Sequence, residues 1–319
     1  MPKNSSMSPI ASNFLKGIAI VFVLIIHTLS SFKQSVFTGY DGHYQSLAVF
    51  LDQLSRLSVS IFVAISGFGL SQRYFKKPLR FTEFLSHRLW KLIPKYLFWC
   101  AIMILAVKLI PSWRSERPSP PLSLLLLLGY ADYHLYFVPM ILQLYLLFPI
   151  LRWLYNRSAG LTLILALSIQ LVWFAMFSYQ NKTPFNLAIF AQDREQYLWF
   201  TNWIWYFVLG IHLTKILTFL DKRKNLWNLV LPIITIATWL ILSTNAITRL
   251  HAGIDPLLVL RFTQYPMVVW ASLGIVSLSY LAMQLNKLPK ILVYLGEKSY
   301  DIYLGHTLAL RILFSFFIW

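Results

Sequence analysis

The stretch from Phe14 to Phe32 reads FLKGIAIVFVLIIHTLSSF, and only Lys16 and His27 in it can carry a charge. As a helix rising 1.5 Å per residue it would extend about 29 Å, close to the roughly 30 Å hydrocarbon core of a bilayer. Runs of the same kind recur at about 47–71, 94–111, 136–155, 160–179, 198–219, 227–244, 263–285 and 298–318. A further apolar stretch, Leu122 to Gly129, is too short to span and reads as a re-entrant or interfacial piece. The first run has full span length and no small-residue cleavage site follows it, so it is expected to stay in place rather than act as a signal peptide.

Composition leads to the same place. Of the 319 residues 58% are hydrophobic, 17% aromatic and only 12% charged, half the charge a soluble surface needs. A soluble enzyme and a disordered chain are excluded, and a lone Cys100 excludes a disulfide scaffold. The reading is an all-α, polytopic transmembrane helical bundle of nine to ten spans, one integral-membrane domain over residues 1–319.

The net charge of +17 would suggest nucleic acid in a soluble protein, but here it first reports sidedness. With the N-terminus inside, 18 of the 28 basic residues fall in cytoplasmic segments, seven of them between residues 71 and 95. Nine spans then put Trp319 outside. The main outer excursions are 180–197, with Asp193, Arg194 and Glu195, and 246–262, with Arg249, His251 and Asp255.

Ionisable residues at membrane depth cost a few kcal/mol unless they face a cavity or a partner, which marks them as functional candidates. His27 lies eleven residues beyond Lys16, about 16 Å up a helix. A neutral imidazole there could act as general base on an acceptor hydroxyl, or could make an interhelical hydrogen bond. His306 repeats the situation in the last span, where Ser299, Tyr303 and His306 share a helical face; a histidine capping a tyrosine is the structural alternative. His212, near the inner end of its span, is explained by snorkelling. Asp52 and Arg56 are spaced i, i+4 and can form a self-neutralising ion pair, or hold a polar acceptor.

Between the second and third spans, Arg88, Lys91 and Lys95 recur at i, i+3 and i+7 if Phe81 to Tyr96 is an amphipathic interfacial helix broken near Pro94, with His87 beside them. Anionic headgroups would explain the charge alone. The alternation with Trp90, Tyr96 and Trp99 would also suit an adenine ring and its phosphates. The aromatic run Trp199, Phe200, Trp203, Trp205 and Tyr206 reads as an interfacial belt, with sugar stacking as the alternative. There is no Gly-rich phosphate loop, zinc signature or nucleophile elbow, so no metal is expected, and Cys100 in an apolar helix is no thioester relay.

Five segments in order carry a resemblance. These are Asn13-Phe14-Leu15-Lys16-Gly17-Ile18-Ala19 leading to His27; Phe62-Val63-Ala64-Ile65-Ser66-Gly67-Phe68; Arg88-Leu89-Trp90-Lys91-Leu92-Ile93-Pro94-Lys95-Tyr96; His134-Leu135-Tyr136-Phe137-Val138-Pro139; and Leu295 to His306. Together they resemble the membrane acyltransferase family called acyltransferase type 3, over nearly the whole chain. The resemblance implies about ten spans and O-acyl transfer, an acyl group, often acetyl, passing from cytoplasmic acyl-CoA to a hydroxyl of an envelope or exported carbohydrate or glycolipid. It implies a multi-pass protein of a bacterial-type inner membrane, with acyl-CoA as donor substrate and no permanently bound cofactor. It also associates with activity a basic residue separated by ten intervening positions from the first-span histidine, and a basic pair in the inner loop. Here these are Lys16 with His27, and Arg88 with Lys91; two arginines of the family pattern are lysines, which keep charge but lose the bidentate fork.

The expected mechanism docks the donor's phosphates on Lys16, Arg88, Lys91 and Lys95 and brings the thioester towards His27, which either deprotonates the acceptor hydroxyl or carries the acyl group transiently. The acceptor enters near Asp52, Arg56, His134 and His306, and Tyr303 or Ser299 assists the oxyanion. A transporter of polysaccharide or lipid-linked sugar, using the histidines as proton relays, is the competing class. It would show no saturable acyl-CoA binding.

Overall fold

The computed structural model describes residues 7–31, 42–110, 121–178 and 195–315. Among them there is no strand, and the chain is all-α as expected. The helices are α1 (Pro9–Ser31), α2 (Gly42–Ser55), α3 (Leu57–Tyr74), α4 (Phe81–Leu109), α5 (Leu122–Leu127), α6 (Phe137–Arg157) and α7 (Ala159–Ser178). After these come α8 (Glu195–Leu198), α9 (Ile204–Asp221), α10 (Lys224–His251), α11 (Pro256–Val259), α12 (Tyr265–Gln284), α13 (Lys290–Glu297) and α14 (Ser299–Ser315). A 3₁₀ turn, Phe200–Asn202, precedes α9.

Eight helical segments among the described residues are long and apolar enough to cross a membrane: 9–30, 45–74, 81–109, 137–157, 159–176, 204–221, 224–251 and 265–284. The expected ninth is where the count departs. Its helix, α14, has 17 residues, about 26 Å and short of a full hydrocarbon core, and residues 316–319 lie outside the described residues. The stretch 122–129 forms only the six-residue α5, as its length required.

Three expected boundaries also move. The helix beginning at Phe81 does not break at Pro94; α4 runs on for 29 residues, because a proline removes one backbone donor and leaves the remaining turns of a long helix intact. The outer excursion expected from 246 starts at 252, since α10 carries Arg249 and His251 in its last turn. The other excursion, 180–197, lies mostly outside the described residues, Asp193 and Arg194 with it.

The described chain falls into two compact units. One runs to Leu70 and resumes from Tyr206 to Tyr303; the other takes Ser71 to Trp205 and everything from Leu304 on. In the first unit, α1 packs against α13, α2 and α12, and α10 against α12 and α2. Two of its crossings are set by glycines that face one another's helix. A Cβ on Gly17 would overlap the backbone carbonyl of Leu292, and one on Gly296 that of Asn13. The same holds between Gly67 and Phe207, and between Gly210 and Ala64. Without a hydrophobic driving force between helices in lipid, backbones this close gain dispersion contacts that larger side chains would forbid.

In the second unit, α4 and α7 pack on α6, and the 3₁₀ turn packs on α6 and α7. Gln143 and Gln170 hold that turn: Gln143 accepts the Phe200 N–H at 3.2 Å and donates to the Leu198 carbonyl at 3.0 Å, while Gln170 accepts the Trp205 N–H at 3.1 Å. The aromatic run around it is not a surface belt throughout. Trp203 is 1% and Tyr206 2% exposed, and the Trp203 indole donates to the Tyr197 carbonyl at 2.9 Å. Gly129 takes φ +72°, a left-handed turn that glycine adopts without steric cost. The turn leads into residues 132–134, the start of a buried polar cluster.

Candidate functional site

Four groups of polar residues stand out among the described helices and their joints, two in each unit. On α1, Lys16 and His27 are both half-buried. Because α1 is continuous, their separation stays at about 16 Å along its axis. The carbonyl of His27 accepts the Ser30 hydroxyl at 2.9 Å.

The second group of the first unit is the Asp52–Arg56 pair. Arg56 Nε and Nη2 meet the two carboxylate oxygens at 2.6 and 3.0 Å, the fork–fork arrangement that the i, i+4 spacing permits. Both side chains are nearly dry, 5% and 4% exposed, and the guanidinium lies 4.9 Å from the Phe262 ring centroid. Arg56 occupies the joint between α2 and α3, so the pair neutralises itself where the span is interrupted.

In the second unit, Arg88 lies on α4 over two rings, 5.9 Å from the Phe84 centroid and 5.5 Å from that of Tyr145. Lys91, Lys95 and His87 on the same helix are exposed. The aromatic neighbours expected from the sequence are spent elsewhere. Tyr96 is buried and donates its hydroxyl to the Leu126 carbonyl at 2.8 Å, Trp99 fills the space left by Gly305, and Trp90 is 83% exposed. The rings that hold Arg88 belong instead to a plate of aromatics. Phe84 packs on Phe148 at 5.6 Å and Tyr74 at 5.3 Å, and Phe75 on Tyr155 at 5.3 Å.

The fourth group is centred on Asp132, which the sequence reading did not single out. Its carboxylate accepts the Thr307 hydroxyl at 2.7 Å, an Arg311 N–H at 2.9 Å and the Tyr133 backbone N–H at 2.7 Å. His134 Nδ1 lies 3.7 Å from the same carboxylate and 3.4 Å from the Thr307 oxygen, and its Nε2 is 3.4 Å from the Leu304 carbonyl. The rings of His134 and His306 stand edge to face with centroids 4.7 Å apart. Asp132, His134, His306 and Thr307 are each at most 5% exposed. A buried carboxylate beside a pair of imidazoles in ring contact is chemically equipped to hold and pass a proton.

His134 and His306 are thus brought together, in one unit. Tyr303 is buried and belongs to the other unit, as does Ser299, whose hydroxyl donates to the Gly296 carbonyl at 2.8 Å. The clue to Asp132 was its place two residues before His134. Thr307 and Arg311, one turn apart on α14, offered only an i, i+4 spacing.

Helices of membrane-crossing length, with histidines, carboxylates and arginines sequestered among them, define a multi-pass membrane protein built to do polar chemistry. An acyltransferase-domain family matches residues 10–318, so the chain belongs to the acyltransferase 3 family. No curated protein and no solved structure matches it.

Proposed function

We propose that this membrane acyltransferase moves an acyl group, acetyl in the simplest case, from cytoplasmic acyl-CoA to a hydroxyl of a cell-envelope or exported carbohydrate. It would sit in the plasma membrane with its N-terminus inside, in the class of acyltransferases that transfer groups other than aminoacyl groups. The observation that carries the donor half is Arg88, laid over Phe84 and Tyr145 with Lys91 and Lys95 along the same helix. A guanidinium lodged over two rings keeps its charge in place, and phosphates are the anions that such charge positions best. Lys16 adds a further cation on α1.

The acyl step assigns His27 the role of base. It takes the acceptor's hydroxyl proton as that oxygen attacks the thioester carbonyl; a C–O bond forms, the C–S bond breaks, and the imidazolium returns the proton to the departing thiolate. The products are an ester and free CoA. On the acceptor side, His134 and His306 with Asp132 behind them supply hydrogen bonds to a polyol.

Acyl transfer, and uncoupled acyl-CoA hydrolysis, by purified His27→Ala should fall by about a hundredfold or more. Activity within a few-fold of the parent sinks the assignment. CoA should raise the parent's thermal midpoint, and Arg88→Ala should abolish that shift.

A further inference from the structure

Arg152 is one of the basic residues counted on the cytoplasmic side, yet it lies on the helix face that carries the aromatic plate beneath Arg88. On α6, Tyr145, Phe148, Arg152 and Tyr155 follow at i, i+3, i+7 and i+10 and share one face. The ring contacts settle what that face meets. Tyr145 and Phe148 lie against Phe84 of α4, Phe148 against Tyr74 of α3, and Tyr155 against Phe75. Arg88 stands at the Tyr145 end, and Arg152 donates an N–H to the Lys77 carbonyl, at 2.9 Å, towards the other end. Seven residues of helix separate those two levels, about 10 Å.

Both arginines show the same defect. The Nε of Arg88 and the Nε of Arg152 are each buried with no hydrogen-bond partner among the described residues. A guanidinium has five donors and no acceptor, so a buried N–H of this kind is satisfied best by an anion that enters beside it. The surroundings favour one. Between residues 71 and 95 there are seven basic residues and a single acidic one, Glu83, which is exposed and already paired with Arg80 at 3.0 Å.

We infer that Arg152 binds a phosphate, one level along the plate from a first phosphate at Arg88. This rests on the acyl-CoA reading, and CoA offers the match: a diphosphate on one side of its ribose and a phosphomonoester on the 3′ carbon. Arg88 takes the diphosphate and Arg152 the 3′-phosphate. The other source of the same chemistry is a lipid headgroup.

The test measures binding of CoA and of 3′-dephospho-CoA to the full-length purified chain, in nanodiscs of phosphatidylcholine alone and with added phosphatidic acid. The parent should prefer CoA by about tenfold or more, the worth of a hydrogen bond to a charged group. Arg152→Gln should lose that preference while binding dephospho-CoA within about twofold of the parent, and Arg88→Gln should weaken both ligands alike. Arg152→Lys, which keeps the charge if the glutamine variant does not fold, should retain part of the preference.

A parent that binds CoA without preferring it overturns this inference alone, as does Arg152→Gln with the preference intact or Arg152→Lys weakened equally for both ligands. An Arg152→Gln protein changed only in its response to phosphatidic acid assigns the site to a headgroup and overturns the nucleotide assignment. A parent that binds neither nucleotide overturns the donor reading itself.

Discussion

Two buried aspartates are answered by arginines in this protein, and they are answered differently. Asp52 finds Arg56 four residues on, and both side chains are sealed off, at 4% and 5% exposed. Asp132 finds Arg311 across 179 positions, and while the carboxylate is 2% exposed the arginine is 31% exposed. The first pair is self-contained: it neutralises a joint in a span and leaves nothing over. The second is a hub, because Asp132 also takes Thr307 and stands beside His134. A sealed pair serves the fold, whereas a carboxylate with one partner reaching towards solvent and an imidazole at its side can serve chemistry.

The largest effect on stability should come from breaking the sealed pair on one side. Asp52→Ala strands a dry guanidinium and should cost about 3–5 kcal/mol in thermal or denaturant unfolding in micelles. Removing both charges together, as Asp52→Leu with Arg56→Met, should recover most of that loss, because a buried pair contributes little beyond what packed apolar groups would. If the double variant is no better than the single, the pair is not self-contained and the contrast with Asp132 fails.

Asp132→Ala should destabilise less, by about 1–3 kcal/mol, since Arg311 can turn to water and only the Thr307 and Tyr133 donors are orphaned. Its signature should be kinetic instead. The kcat for acyl transfer should drop by about tenfold or more while KM for the donor stays within about twofold, a split that loss of packing would not produce. Equal losses in kcat and in folded fraction would make the hub structural, like its counterpart.

The smallest change is Thr307→Val, which removes one hydroxyl and should cost about 1 kcal/mol. Thr307→Ser should restore both stability and rate, because the bond to Asp132 needs only the oxygen.

Legibility from sequence followed distance along the chain. The Asp52–Arg56 pair could be read because helical geometry makes i, i+4 residues neighbours. Phe84, four before Arg88, was open to the same logic, but Tyr145, the other ring under that arginine, was not. Trp90, Tyr96 and Trp99 looked like a nucleotide's aromatic partners because they sit among lysines. Packing gave the buried Tyr96 to a carbonyl of α5 and Trp99 to Gly305, and left Trp90 outside. Pro94 suggested a break that a long helix absorbed.

The sequence by itself determined that this chain is all-α and lies in a membrane, roughly where its spans run, and through its ordered motifs the family it belongs to. Those properties depend on apolar run length and on spacing within one helix, and both are local. Tertiary structure alone decided that His134 faces His306, that Asp132 gathers Thr307 and Arg311, and that Arg152 joins the plate holding Arg88. Each of those contacts joins segments far apart in sequence, and side-chain packing between them, which no local period encodes, selects the partner.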